Sequence, residues 1–114
     1  MSTNLRLEKC VACNRDAPRV TDEERRELSA QIPEWEIIEV GEIPRLTRLY
    51  KVKNFVAALD LTNRVGAIAE EQAHHPEIVT EWGKVRVTWW THKIKGLHRN
   101  DFVMAARTDE LAAD

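Results

Sequence analysis

The 114-residue chain predicts an α+β domain of order α-β-β-α-β-β-α, a four-stranded antiparallel sheet with helices packed on one face. Three observations carry this expectation. Two stretches of strand-like residues, each broken by a short turn signal, read as hairpins. A long stretch with apolar residues at helical spacing lies between them. Hydrophobic residues make up 43% of the chain and charged residues 32%, the balance of an ordinary globular domain able to bury its own core. Two hairpins joined by a long helix fit a layer of helices on an antiparallel sheet.

Residues 1–20 have no clear period and are expected to form an extended or loose N-terminal arm before a single domain over 21–114. Thr21-Asp22-Glu23-Glu24 is a capping-box pattern. It should open a short helix running to about Ala30 and ended by Ile32-Pro33. Trp35 to Val40 and Arg45 to Val52 read as strands, with Gly41-Glu42-Ile43-Pro44 as the turn. Asn54 is a good N-cap for a helix from Phe55 to Ala73. Phe55, Leu59, Thr62, Gly66, Ala69 and Ala73 form one stripe of that helix, with Ala58, Leu61, Val65 and Ile68 beside it. Pro76 prevents its continuation. Glu77 to Glu81 can form a third strand, Trp82-Gly83 a turn, and Lys84 to Trp90 the clearest strand of all. Val85, Val87 and Trp89 share one of its faces, and Arg86, Thr88 and Trp90 the other. Gly96-Leu97 breaks the chain before a last helix from about Arg99 to Leu111.

The formal charge of −2, with acids and bases interspersed, argues against nucleic acid as a main partner. No run of eighteen apolar residues is present, so no membrane span is expected. The N-terminus lacks a signal pattern, and Cys10 and Cys13 are too few for a disulfide scaffold. These features favour a cytoplasmic protein. Cys10-x-x-Cys13 has no second cysteine pair and no βαβ context, and reads as incidental.

The chemistry-bearing feature is a cluster of histidines. Three of the four, His74, His75 and His92, fall between residues 74 and 92. Imidazole titrates nearest neutrality, so a cluster points to proton transfer or to a metal. Glu70 lies one helical turn before His74, where a carboxylate can fix the tautomer of the ring. His92 follows the strongest strand, where functional groups are common. Adjacent histidines diverge by about 100° on a regular helix. A metal would therefore have to be held across the break at Pro76. Asp101 suits the first turn of the last helix through the helix dipole alone. His98 falls at the N-cap, a position for which histidine is a poor choice.

Glu70-x-x-x-His74-His75-Pro76, Trp82, His92 and Asp101 together resemble the signature of the pterin-4a-carbinolamine dehydratases. The stretch from Pro33-Glu34-Trp35 to Asp109-Glu110-Leu111 aligns without a gap in the motif region. The chain is more similar still to the bacterial members that accompany phenylalanine hydroxylase. Those share Thr80 to Val85, Trp89-Trp90 and Lys95 to Phe102, and tend to carry a Cys-x-x-Cys near the N-terminus. The resemblance implies elimination of water from 4a-hydroxytetrahydrobiopterin to give the quinonoid dihydropterin. That step recycles the hydroxylase's cofactor and needs neither a metal nor an organic cofactor. By resemblance, His74 and His92 are the acid and base, and His75 orients the substrate. Glu70 and Asp101 support the histidines. Trp35 is an aromatic wall, and Ala73 to Pro76 with Trp90, Thr91 and Lys93 contact the pterin. The family also implies dimers or tetramers formed by joining sheets, with phenylalanine hydroxylase as a partner. Trp90 and His98 depart from it, since many members carry serine at the first position and threonine or serine at the second. Other relatives on this fold partner a transcription factor or resemble RuBisCO assembly factors. Such paralogues tend to lose parts of the histidine set, which is complete here.

Overall fold

A computed structural model describes Leu5 and residues 19–113. The expected N-terminal arm, with Cys10 and Cys13, lies outside the described residues except for Leu5, Arg19 and Val20. The elements are α1 (Asp22–Ser29), β1 (Glu36–Val40), β2 (Ile43–Lys51), α2 (Phe55–Gln72), β3 (Glu77–Glu81), β4 (Lys84–Trp89) and α3 (Arg99–Ala112), with a 3₁₀ turn at His92–Ile94. The strands form one antiparallel sheet in the order β1-β2-β4-β3. This is the expected α+β order.

Local chemistry accounts for most element boundaries. Thr21 and Glu24 form the reciprocal cap of α1, each side chain accepting from the other's backbone N–H. Asn54 Oδ1 accepts from Ala57 N at 2.8 Å and starts α2. The β1–β2 turn is tighter than the sequence suggests. Only Gly41 and Glu42 lie in it, at φ 57° and 66°, and Ile43 and Pro44 belong to β2. Two consecutive positive φ values match the twist of a two-residue hairpin. Pro44 is tolerated because pairing of β2 with β4 begins only at Leu46, so no ladder bond to β4 needs its missing N–H.

The helix-facing side of the sheet is set by register. Leu46 pairs with Trp89, Arg48 with Val87 and Tyr50 with Val85. Leu46, Val85, Val87 and Trp89 are buried together with Ala58, Leu61, Val65 and Ala69 of α2 and Phe102, Val103, Ala105 and Ala106 of α3. The buried face of α2 is therefore Ala58, Leu61 and Val65 of the flanking row, continued by Ala69 of the expected stripe. Phe55 and Leu59 remain 44% and 43% exposed, because the helix is rotated to lay its small and branched residues on the sheet.

A polar strut ties α3 to this layer. Asp109 Oδ1 accepts from Trp35 Nε1 at 2.9 Å, from Arg48 Nη1 at 2.7 Å and from the Tyr50 hydroxyl. Burial, with the Asp109 carboxylate beside it, raises the Tyr50 phenol far above the ordinary tyrosine range. The Tyr50 hydroxyl is the donor in its bond to the Asp109 carboxylate. Asp109→Ala strands a phenol, an indole N–H and a guanidinium at once. It is expected to lower unfolding free energy by about 1–3 kcal/mol in urea titration.

Candidate active site

Two adjacent tryptophans at the end of β4 organise the histidines. Trp89 faces the helices, and His74 stacks on it with ring centroids 5.6 Å apart and planes 6° apart. Trp90 packs against Arg45, a neighbour of the helix-facing Leu46 on β2, and so lies on the opposite side of the sheet. His92 stacks on Trp90, with centroids 4.4 Å apart. The end of β4 thus carries one imidazole on each side.

Asp101 joins them. It is fully buried in the first turn of α3. Its Oδ1 lies 2.7 Å from His74 Nε2. Its Oδ2 accepts from Thr91 Oγ1 at 2.7 Å and from His98 N at 2.9 Å. An ionised carboxylate can only accept, so Nε2 of His74 carries the proton, and Nδ1 is the basic nitrogen of the neutral ring. Through Thr91 the same carboxylate anchors the residue immediately before His92. One buried group therefore fixes both the imidazole at the end of α2 and the start of the His92 turn.

The second histidine behaves differently from the sequence expectation. α2 ends at Gln72, three residues before His75, because Ala73 adopts the left-handed conformation at φ 52°. This reversal turns His74 inward and His75 outward. Glu70 therefore pairs with His75, Nε2 to Oε1 at 2.7 Å, rather than with His74. The pair is exposed, with 60% of the His75 side chain and 81% of Glu70 open to solvent, whereas His74 is 5% exposed. Ala73, His92 and Lys93 are exposed, Pro76 and Trp90 are half-buried, and Thr91 is buried.

Trp35 is not among these groups. It is held by Asp109 two helical turns beyond Asp101, about 12 Å along α3, and packs edge-on against Tyr50. The expected aromatic wall is a buried residue held between Tyr50 and Asp109. One contributor escaped sequence reading. Trp89 is visible as a buried strand residue, but nothing local marks it as the platform of His74. His98 is the N-cap of α3 despite the poor preference of histidine there. Its Nδ1 accepts from Asn100 N at 3.0 Å, and Asp101 closes the reciprocal bond. The spacing His-x-x-Asp was its signal.

Burial lowers the pKa of His98 from the ordinary histidine value. The Asp101 carboxylate pulls the other way, His74 lowers it further, and Glu24 raises it. The neutral ring is the capping form, since protonated Nδ1 cannot accept. The unfolded chain therefore binds more protons than the folded one below about pH 6.5. Stability from this cap is complete above that value and falls as pH drops through the folded-state pKa. His98→Asn keeps a capping oxygen but does not titrate. Its unfolding midpoint in urea is expected to fall less than that of the wild type between pH 7.5 and 5.5.

Among the described residues, no three His, Cys, Asp or Glu side chains gather as a metal site requires. Among them also, no helix is long and apolar enough to cross a membrane. Two cavities lie away from the histidines. One of about 420 Å³ sits between the β1–β2 turn and Lys95, and one of about 340 Å³ lies among Tyr50, Leu61, Arg64 and Ala112.

Comparison with known proteins identifies the family. Residues 18–111 match the family model described as pterin 4 alpha carbinolamine dehydratase. The chain is 59% identical over 108 residues to a protein of Nitrosococcus oceani provisionally named a pterin-4-alpha-carbinolamine dehydratase, covering 95% of this chain and 96% of that one. The crystal structure of a transcriptional coactivator/pterin dehydratase from Brucella melitensis superposes with a TM-score of 0.75 at 29% identity, covering 83% of this chain and 99% of the other. A pterin dehydratase-like protein identified as a RuBisCO assembly factor in the alpha-carboxysome shares the fold, with a TM-score of 0.59 at 22% identity over 71% of this chain and 92% of its own. With a family match spanning nearly all the described residues, the chain belongs to the pterin 4 alpha carbinolamine dehydratases, a family of hydro-lyases.

Proposed function

We propose that this chain eliminates water from 4a-hydroxytetrahydrobiopterin by histidine acid–base catalysis, recycling the cofactor of an aromatic amino-acid hydroxylase in the cytoplasm. The observation that carries the reading is the Asp101 carboxylate, which holds His74 and Thr91 together at 2.7 Å each. In the reaction, an imidazolium gives its proton to the 4a-hydroxyl and the C4a–O bond breaks with loss of water. The N5 lone pair closes the C4a=N5 bond, and a neutral imidazole takes the N5 proton. One proton is given and one taken, so the pair of histidines ends the cycle with its roles exchanged and resets through solvent.

His74 and His92 are the proposed acid and base, one from each side of the end of β4. His74, nearly closed to solvent, can reach only a ligand lying directly against it. His75, held by Glu70, is proposed to orient the pterin, with Ala73, Pro76, Trp90, Thr91 and Lys93 around it. The edge strands β1 and β3 are suited to homodimer or tetramer formation. Phenylalanine hydroxylase is the proposed functional partner. The test is stopped-flow absorbance of 4a-hydroxytetrahydrobiopterin generated by a hydroxylase. The chain should speed its collapse to the quinonoid form in proportion to enzyme added. A rate independent of added enzyme would remove the proposal.

A second reading, a protein-binding role on the same fold, draws on the exposed Phe55, Val56, Leu59 and Trp82. Recovery of a stoichiometric partner together with absent dehydratase activity would favour it.

A further inference from the structure

We infer that Arg45 is a positioning residue for His92, acting through Trp90. The inference rests on the dehydratase reading only for its kinetic consequence. His74 and His75 are each held by a carboxylate. His92 is held differently. It opens a three-residue 3₁₀ turn, and Thr91, at the N-cap, makes no side-chain capping bond there because its hydroxyl is given to Asp101. The contact that orients the exposed imidazole is the face of Trp90. An imidazole held in this way is only as well placed as the indole beneath it.

Trp90 follows the last residue of β4 and is half-buried, so its own orientation has to come from β2. Arg45 supplies it, with Cζ 4.0 Å from the indole centroid. The hydrogen bonding of this guanidinium shows what it is committed to. Nε is buried and makes no hydrogen bond among the described residues. Nη2 makes one long bond of 3.5 Å to Val40 O. A guanidinium that leaves a buried donor unpaired while lying over an indole is held by the ring face, where a planar, weakly hydrated cation is favoured. The chain of support therefore runs from β2 through the guanidinium to the indole and from the indole to the imidazole. It does for His92 what Asp101 does for His74.

The test compares Arg45→Met, which keeps the stem and loses the planar cation, with Arg45→Lys and Trp90→Phe. The primary readout is the NMR shift of the His92 ring protons, displaced upfield in the wild type by the indole ring current. Arg45→Met should move these resonances toward those of an unstructured histidine while His74 resonances stay in place. Arg45→Lys and Trp90→Phe should each keep part of the displacement. Arg45→Met should also lower kcat roughly three- to tenfold, the range expected for loss of one stacked contact, with KM changing less than about twofold. His92 resonances unmoved in Arg45→Met would overturn the assignment. So would a shift shared by all four histidines, which reports general loosening. Because the shifts do not depend on turnover, a chain without dehydratase activity would still decide the positioning claim.

Discussion

Asp101→Asn is expected to lower dehydratase turnover by at least about 10²-fold while leaving the chain folded. The amide keeps the size of the carboxylate, and its oxygen can still accept from Thr91 Oγ1 and His98 N. Its NH₂ faces His74 Nε2, where the carboxylate had accepted a proton. To avoid two donors meeting, His74 must move its proton to Nδ1, which changes the tautomer of the proposed acid–base group. Wrong-tautomer substitutions of this type are costly because acid–base catalysis depends on which nitrogen is free. The stability loss is smaller, about 1–3 kcal/mol, as one buried hydrogen-bonded pair is weakened. The ¹⁵N shifts of the His74 ring should report the tautomer change, and single-turnover kinetics the rate. Unaltered kinetics with an altered tautomer would detach Asp101 from the chemistry.

His92→Ala and His74→Ala should each slow dehydration by about 10²–10⁴-fold. The two differ in their cost to the fold. His92 is exposed, so its removal should change stability by less than about 0.5 kcal/mol. His74 is buried between Trp89 and Asp101, and its removal leaves a cavity and a carboxylate short of one donor. That variant should lose about 2–4 kcal/mol. The rate effects should not multiply in the double variant, since both groups serve one elimination. His92→Ala is thus the cleaner probe: a folded protein with unaltered melting and a collapsed rate.

The fold was legible where the signal is local. The Thr21 capping box and the alternation of Val85, Val87 and Trp89 depend on residues a few positions apart, and both are as the sequence indicates. The β1–β2 turn was only half legible, because Glu42 occupies a positive-φ position that its residue type does not advertise. The rotation of α2 depends on which of two neighbouring apolar rows fits the sheet better, a packing outcome that periodicity alone does not decide.

The site follows the same division. The three histidines stand close in sequence, so they could be picked out directly. Their partners could not. Ala73 has no special preference for the left-handed region, yet its reversal transfers Glu70 from His74 to His75. The true partner of His74 lies 27 residues away on α3. The partner of Trp35, Asp109, was equally illegible, since it lies 74 residues on.

The most direct test of the central claim is a crystal structure with 7,8-dihydrobiopterin bound. The pterin should lie at the end of β4, with its C4a–N5 edge within hydrogen-bond reach of His74 and His92 and its ring near His75 and Pro76. A pterin bound instead in the cavity among Tyr50, Leu61 and Arg64, with the three histidines untouched, would contradict it.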